Sequence, residues 1–330
     1  MCGGGLATGA KLALMIEAAA LLAALLLSGP RILVEPPVAA HAAVPEPRVD
    51  EETGVRRYRD VAYIAGKDAD PQKHRLDLYV PAESKWREGR PVVVWIHGGG
   101  WSMGDKDDAF GLYHRYCRIL AEHGVAAANV SYRLSPAVKH PAHVQDVAAA
   151  TAWVVKHADQ FGYDAKHLFV SGHSAGGHLA ALLASDPQWL AAHDLPPGSI
   201  AGVIPSSGVF DLSTLVNSNR RWQRAFAPET AKAASPVTHA SAEEPPFVFI
   251  VEQNGAFMRT QTRRMVEALR AAGAAPQVVE IPRVNHITML QDLLYRDGLH
   301  ATTTLKLIDR VVVEATSGDA RTPDAAMGAP

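Results

Sequence analysis

Residues 168–177 read LFVSGHSAGG, and an Ala- and Leu-rich stretch follows them. An apolar run, a tight glycine turn and a helix-forming segment predict a strand, a sharp corner and a helix. The G-x-S-x-G pattern places Ser174 at the corner, where flanking glycines let strand and helix approach without side-chain clashes. The Ser174 hydroxyl then lies above the strand end, where the helix dipole favours developing negative charge. Ser174 is therefore the candidate nucleophile.

A second glycine loop lies upstream, where residues 95–101 read WIHGGGW directly after an apolar run. A lone G-x-S-x-G also occurs as a structural glycine turn, so the second loop adds independent support. The consecutive glycines Gly98, Gly99 and Gly100 expose backbone N–H groups. Together with the N–H of Ala175, these groups can hold the oxyanion of a tetrahedral intermediate. The two loops, in this order, predict acyl-transfer chemistry at Ser174.

The rest of the chain alternates strand and helix patterns, which favours a mostly parallel sheet covered on both faces. Two half-exposed segments predict antiparallel edge strands, 58–64 and 74–80. Continuous apolar runs predict six buried strands, 92–96, 125–130, 168–170, 201–205, 247–251 and 278–281. Helical periodicity covers 110–123, 144–161, 175–184, 261–272 and 303–313. The expected fold class is α/β, with a central sheet of about eight strands.

The segment 213–239 is polar and poorly periodic, and it separates two predicted strands. Loops of this length inside compact domains are usually functional, which favours a small lid over a pocket. A disordered connection is the alternative.

Composition restricts the possible partners and cofactors. The chain has 330 residues, is 48% hydrophobic and carries a formal net charge of −2, with no basic stripe. This argues against nucleic acid as a partner.

Two cysteines provide no disulfide framework, and the periodicity around Cys117 predicts a buried, inert thiol. Because H-E-x-x-H, C-x-x-C, Walker and G-x-G-x-x-G patterns are absent, we expect no metal and no cofactor.

The two ends of the sequence differ in residue pattern from the middle. Lys11 precedes an apolar run at 12–27, and a small-residue site, Ala40-His41-Ala42, follows. We interpret residues 1–48 as a signal peptide or membrane anchor plus linker, which predicts export or membrane attachment. Residues 49–316 form the expected catalytic domain, and 317–330 a disordered tail. The sequence does not predict an oligomeric state.

The candidate base is chosen by position, because fifteen histidines are present. His286 lies in a short loop after the last predicted strand and before a helix. In hydrolases of the G-x-S-x-G type the histidine comes last in the chain, and His286 alone has that place.

These motifs carry a family resemblance. From about residue 58 to 313 the chain resembles the α/β-hydrolase family of hormone-sensitive-lipase-like carboxylesterases, feruloyl and acetyl esterases and kynurenine formamidase. The matching stretches are LDLYVP at 76–81, HGGGW at 97–101, SYRLSP at 131–136, Pro141 with Asp146, the Ser174 corner, SGVFDL at 207–212 and Asn285-His286. The resemblance implies the α/β-hydrolase fold, with Ser174 as nucleophile, His286 as base and the glycine loop with Ala175 as oxyanion donors.

The acid of the triad does not follow the family pattern. Relatives read G-E-x-D at this strand end, with Gln seven residues later, whereas this chain reads VEQN at 251–254, with Gln261 in register. The resemblance therefore places Asn254 at the acid position. Asn accepts a hydrogen bond from His286 but cannot stabilise an imidazolium. Glu252 and Asp211 are the alternative carboxylates.

The function expected from these features is a serine carboxylesterase that hydrolyses small or short-chain esters through an acyl-enzyme. An arylformamidase-type amide hydrolase would use the same residues. A catalytically weakened hydrolase-fold binding protein is the third possibility, because of Asn254.

Overall fold

The computed structural model describes residues 44–86 and 89–319, without the side chains of Arg221 and residues 314–319. One sheet organises this part of the chain, with strand order β1-β2-β3-β5-β4-β6-β7-β8-β9. The strands are β1 (Arg48–Val49), β2 (Arg56–Ala62), β3 (Arg75–Val80), β4 (Val92–Ile96), β5 (Ala126–Val130), β6 (Leu168–His173), β7 (Gly202–Ser206), β8 (Val248–Glu252) and β9 (Gln277–Ile281).

Strand direction divides the sheet into two parts. Strands β1, β2 and β3 pair antiparallel, and β3 pairs antiparallel with β5. Strands β5, β4, β6, β7, β8 and β9 run parallel. The prediction of two antiparallel edge strands and six parallel ones is confirmed, and the two-residue β1 is the addition. The carboxyl ends of the parallel strands meet at one edge, where such sheets place their sites.

Helices cover both faces of the sheet. They are α1 (Leu112–Glu122), α2 (Ala142–Lys156), α3 (Ala158–Phe161), α4 (Ala175–Ser185), α5 (Gln188–Ala191), α6 (Arg220–Gln223), α7 (Ala256–Ala271) and α8 (Leu299–Asp319). In β4, Val92 and Val94 belong to the core shared with α2 and α4, whereas Val93 and Trp95 belong to the core shared with α1 and α8. This alternation follows from the two-residue period of a strand and explains why both faces of β4 are apolar.

Several helix boundaries differ from the sequence prediction. The predicted helix 144–161 is two helices that meet at His157, whose N–H lies near the carbonyls of both Trp153 and Val154. Helix α8 begins earlier than predicted because the carboxylate of Asp292 accepts the N–H groups of Leu299 and His300 and caps it.

Helix α8 also ends later than predicted. Its last residue is Asp319, so the predicted tail boundary at 317 falls inside the helix. The rest of that tail and residues 1–43, which include most of the predicted signal or anchor segment, lie outside the described residues. Within 44–86 and 89–319, no helix combines the length and apolar character needed to cross a membrane.

The segment 213–239 is folded and is not a disordered connection. It contains α6 and two turns of 3-10 helix at Pro228–Thr230 and Pro236–Thr238. Val216 and Phe226 are buried in the core, and the ring of Phe226 contacts Trp101, which directly follows the glycine loop. The segment therefore lies next to the carboxyl edge of the sheet, as the lid prediction requires.

Candidate active site

Ser174 occupies a strained corner between β6 and α4. Its backbone angles are φ 56° and ψ −114°, a conformation that costs a non-glycine residue about 1–3 kcal/mol. The neighbouring chain comes so close that a Cβ at Gly172 or Gly176 would lie 2.6 Å or 2.0 Å from the carbonyl oxygen of Ile96. Only glycine fits at these two positions. The flanking glycines therefore let the corner form, and the corner raises the Ser174 hydroxyl above the sheet edge.

His286 faces this hydroxyl from the loop after β9. Its Nε2 lies 2.9 Å from the Oγ of Ser174, which is hydrogen-bond distance. The carbonyl of His286 accepts a hydrogen bond from Nε2 of His173, at 3.1 Å. Burial lowers the pKa of His173 well below 6.5, as do the nearby rings of His286 and His300. His173 is therefore neutral, and its single N–H is used to hold the loop that carries His286.

Glu252 provides a carboxylate behind His286. Its Oε1 lies 3.4 Å from Nδ1 of His286, within ion-pair distance, and its side chain is 0% exposed. Ser207 donates a hydrogen bond to the other oxygen, Oε2. Burial raises the pKa of Glu252, but the contacts with His286 and Ser207 outweigh burial and lower it below 4.5. The carboxylate is thus ionised, and the 3.4 Å contact is of the kind that tightens when substrate binds.

Asn254 does not take the position that the family pattern assigns to it. Beyond β8, the N–H of Gln253 donates to the carbonyl of Ile281 and that of Asn254 to Val284, so the chain still follows the neighbouring strand. The side chain of Asn254 is exposed and makes no hydrogen bond to His286 within the described residues. The prediction that Asn254 orients the base is wrong, because the carboxylate comes from the strand end itself.

Asp211 is also engaged elsewhere. Its Oδ2 lies 2.7 Å from Arg264, and its Oδ1 accepts the N–H of Ser213. Of the three candidates considered from sequence, the structure therefore brings only Glu252 to His286.

The glycine loop lies directly against the nucleophile. A Cβ on Gly98 would lie 3.3 Å from the Cβ of Ser174. Gly99 and Gly100 have φ of 115° and 60°, in the region that favours glycine. Ala175 is the first residue of α4, so its N–H is among the amides without a partner inside the helix. The glycine loop and the helix start, which carry the predicted oxyanion donors, therefore both lie beside Ser174.

Trp101 forms a fixed wall beside the glycine loop. Its indole N–H donates to Nδ1 of His178 at 3.2 Å, and Nε2 of His178 donates to the carbonyl of Ala234 at 2.7 Å. Burial lowers the pKa of His178 to about 3, so the ring is neutral and can accept from the indole. Since Ala234 belongs to segment 213–239, this chain of hydrogen bonds also joins the segment to α4.

A row of aromatic rings continues from Trp101 towards solvent. The ring centroid of Trp222, in α6, lies 5.8 Å from that of Trp101 and 6.3 Å from that of Phe257. Phe257 is 42% exposed and lies at the start of α7, five residues beyond Glu252. The row therefore extends from the glycine loop towards the end of β8, which carries Glu252.

Sequence reasoning missed the roles of Ser207 and His173 and ranked Glu252 too low. A usable signal was present for Glu252, because an acidic residue closes the otherwise apolar run FVFIVE at 247–252. A charge at the end of a buried parallel strand calls for a polar partner. Within the described residues no group of three His, Cys, Asp or Glu side chains is arranged to hold a metal ion.

This geometry defines the class of the protein. A serine hydroxyl after β6, a buried carboxylate at the end of β8 and an imidazole after β9, on a mostly parallel sheet covered by helices, are the arrangement of an α/β-hydrolase with a serine triad. The family model described as BD-FAE matches residues 76–268, more than half of the chain. The chain belongs to the BD-FAE family.

Known relatives and structures agree with this class. LipM of Mycobacterium tuberculosis, described as a probable carboxylic ester hydrolase, is 32% identical over 70% of this chain. The match covers 58% of LipM, so the chain spans little more than half of that relative. Kynurenine formamidase of Danio rerio is 24% identical over 85% of this chain and 92% of its own. The inhibited structure of esterase B from Lactobacillus rhamnosis superposes with a TM-score of 0.68 at 25% identity, covering 83% of this chain and 92% of that one.

Proposed function

We propose that this protein is a serine carboxylesterase that hydrolyses small or short-chain esters through an acyl-enzyme. The observation that carries the proposal is the 2.9 Å contact between Ser174 Oγ and His286 Nε2, with the Glu252 carboxylate 3.4 Å behind the ring. A serine hydroxyl becomes a nucleophile when a positioned base removes its proton, and that base needs an orienting group. Support also comes from the esterases among the relatives.

In the first half of the proposed reaction, Ser174 Oγ attacks the acyl carbon and its proton passes to Nε2 of His286. Glu252 stabilises the imidazolium that forms, because its ionised carboxylate faces Nδ1. The N–H groups of the glycine loop and of Ala175 hold the oxyanion. When the tetrahedral intermediate collapses, the ester C–O bond breaks and His286 returns the proton to the departing alcohol.

In the second half, water replaces the alcohol. His286 takes a proton from the water as it attacks the acyl carbon, and the acyl–Ser174 bond breaks with that proton returned to Oγ. Bulky rings bound the space beside the glycine loop, since Trp101 is held by His178 and Phe226. This wall favours short acyl groups.

A panel of p-nitrophenyl esters of increasing acyl length tests the proposal, with Ser174→Ala as the blank. The proposal requires Ser174-dependent hydrolysis that is fastest for acetyl to butyryl esters and falls for longer chains. A fluorophosphonate probe should label Ser174, and the wild-type chain remaining unlabelled and inactive on every ester would exclude the proposal.

A second candidate is amide cleavage of the arylformamidase type. The match to kynurenine formamidase, which spans most of both chains, favours it. The same nucleophile and base would serve, with an amine as leaving group that takes its proton from His286. An aryl formamide assayed beside the esters separates the two, since the larger kcat/KM identifies the preferred bond.

Location is a further part of the proposal. The apolar run at 12–27 after Lys11, with the small residues Ala40 and Ala42, supports export or membrane attachment. Expression of the full chain with fractionation and N-terminal sequencing tests this. A new N-terminus near residue 42 in an exported fraction supports cleavage, an intact chain in the membrane fraction supports an anchor, and an intact chain in the cytosol contradicts both.

A further inference from the structure

A second serine–histidine–carboxylate set lies between β7 and α8, next to the candidate active site. Nε2 of His300 is 2.9 Å from Oγ of Ser206, and Nδ1 of His300 is 2.8 Å from Oδ2 of Asp292. The Asp292 carboxylate can only accept when ionised, so Nδ1 of His300 carries a proton. In the neutral ring Nε2 is then the acceptor for the Ser206 hydroxyl. The order of donors and acceptors matches that of Ser174, His286 and Glu252.

This second set has no access to a substrate. Ser206 is 0% exposed and His300 1% exposed, and both lie among core side chains between β7 and α8. An ester cannot reach the Ser206 hydroxyl without the core being opened. A role as a second nucleophile is therefore excluded by burial, and the set must act through the structure around it.

One end of the set supports the nucleophile. The carbonyl of Ser206 accepts the N–H of Ser174 at 2.8 Å, so the residue that holds the strained corner also bonds His300. The next residue, Ser207, donates to Glu252. The end of β7 thus contacts both the nucleophile and the acid of the candidate triad.

The other end of the set holds the loop that carries the base. We call residues 282–298, between β9 and α8, the base loop. Asp292 lies in its 3-10 helix, Thr288–Leu294, a few residues beyond His286. Its carboxylate accepts from His300 Nδ1 and from the N–H groups of Leu299 and His300. Gly298 passes so close that a Cβ there would lie 2.4 Å from the carbonyl oxygen of Asp292.

From this connection we infer that Ser206, His300 and Asp292 form a positioning relay that fixes the base loop to the strand end supporting the nucleophile. The inference rests on the proposed function. A closed path results: Ser174 N–H to Ser206, Ser206 to His300, His300 to Asp292, and along the base loop to His286, whose ring returns to Ser174. Misplacement of a reacting group by about 1 Å can cost about 100-fold in rate. The relay therefore acts on turnover through the His286–Ser174 contact.

The test is Ser206→Ala in the full chain, assayed with p-nitrophenyl butyrate. This change removes the side-chain bond to His300 and leaves the backbone carbonyl that accepts from Ser174. We expect kcat to fall about tenfold or more, as positioning effects do, with KM little changed. His300→Asn tests the same bond from the other side, because the Asn amide can still donate to Asp292 but is too short to place an acceptor where Nε2 faces Ser206. The double variant should lose no more than the single ones, since both remove one interaction.

Tyr116→Phe is the matched control. The Tyr116 hydroxyl lies 2.8 Å from Oγ1 of Thr304, a buried hydrogen bond between α1 and α8 only four residues beyond His300. This bond involves no residue of the base loop or of the end of β7, and phenylalanine keeps the ring that packs edge-on against His300. The control should lower the melting temperature about as much as Ser206→Ala does while leaving kcat unchanged.

Three results would overturn the inference: an unchanged kcat in Ser206→Ala, an equal loss of kcat in Tyr116→Phe, or fluorophosphonate labelling of Ser206 in Ser174→Ala. Failure of the proposed function looks different, because the wild-type chain itself would then be inactive on esters and formamides. In that case the rates at which the fluorophosphonate probe labels Ser174 in the wild-type chain and in Ser206→Ala still show whether the change disturbs the alignment of the nucleophile.

Discussion

Two serine–histidine–carboxylate sets in this protein share their connectivity and differ in exposure. In the set at Ser174 the serine is partly exposed and the His286 side chain is 28% exposed. In the set at Ser206 the serine and histidine are 0% and 1% exposed. The buried set even has the shorter histidine–carboxylate distance, 2.8 Å against 3.4 Å.

Hydrogen-bond geometry alone therefore does not identify a catalytic triad. The set at Ser174 also has a strained corner that lifts the hydroxyl, and the glycine loop with the predicted oxyanion donors packs against it. The set at Ser206 lies inside the core, at the end of a regular strand. Access and oxyanion donors distinguish a reactive serine from a structural one, and each prediction below tests one part of that difference.

The largest effect is expected at the nucleophile. Ser174→Ala should lower kcat for short esters about 10⁶-fold, the scale seen when the serine of a triad is removed. Fluorophosphonate labelling followed by peptide mass spectrometry should find the modification on Ser174 and no other serine. Residual turnover within 100-fold of wild type would mean that another group does the chemistry.

The acid should have the next largest effect. Glu252→Gln keeps the size of the side chain and an oxygen for Ser207 but removes the charge opposite His286. We expect kcat to fall about 10⁴-fold, as when the acid of a serine triad is made an amide. Steady-state kinetics with p-nitrophenyl butyrate measures this.

Matched controls come from the two positions that sequence also proposed. Asn254→Ala and Asp211→Asn should each leave kcat within a few-fold of wild type, because neither side chain reaches His286 in the structure. If Asn254→Ala lost as much as Glu252→Gln, the assignment of the acid would be wrong.

Sequence predicted the fold and the contact between Ser174 and His286 for physical reasons. The strand, corner and helix at Ser174 are local, because glycine spacing and apolar runs determine them within about ten residues. The order of nucleophile and base along the chain follows from the order of strand ends. The six parallel strands were visible because strands buried on both faces are apolar at every position.

The acid was predicted less well, because its position depends on contacts between distant segments. Backbone hydrogen bonds fix where the chain leaves β8: Gln253 bonds to Ile281 at the end of β9, and Asn254 bonds to Val284 beyond it. A shift of one or two residues in that exit changes which side chain faces His286. Likewise, the contact of Ser206 with His300 joins residues 94 apart in the chain, and no motif marks it.

Substrate selectivity should respond to the rings that border only the exposed set. Trp222→Ala removes the central ring between Trp101 and Phe257 and should open the space for longer acyl chains. The ratio of kcat/KM for p-nitrophenyl octanoate to that for the butyrate should rise about tenfold, within the range that a few methylenes provide. Trp189→Ala is the control, because this partly buried ring contacts His140 and does not contact Trp101. An equal shift in both variants would show that general loosening, not the aromatic row, changes selectivity.

The smallest effect concerns stability and extends the contrast between exposed and buried histidines. Burial lowers the pKa of His140 to about 4 and that of His178 to about 3, and it lowers the pKa of His173 well below 6.5. The unfolded chain binds protons at histidine near pH 6.5, whereas the folded chain keeps these rings neutral until much lower pH. Their contribution to stability is therefore complete above pH 6.5 and is lost as the pH falls towards 4. Each ring should steepen the fall of the free energy of unfolding by about 1.4 kcal/mol per pH unit at most.

His140→Phe tests this prediction for one ring, since phenylalanine keeps an aromatic ring against Phe226 and Trp189 but cannot bind a proton. Urea unfolding at pH 7.5, 6.5 and 5.5 should show the free energy of unfolding falling with pH in both proteins, and less steeply in the variant. If the two slopes were equal, the ring of His140 would take up its proton in the folded state as readily as in the unfolded one. Burial would then not be what keeps this histidine neutral. Burial would also no longer explain a neutral ring at His173, which holds the carbonyl of His286.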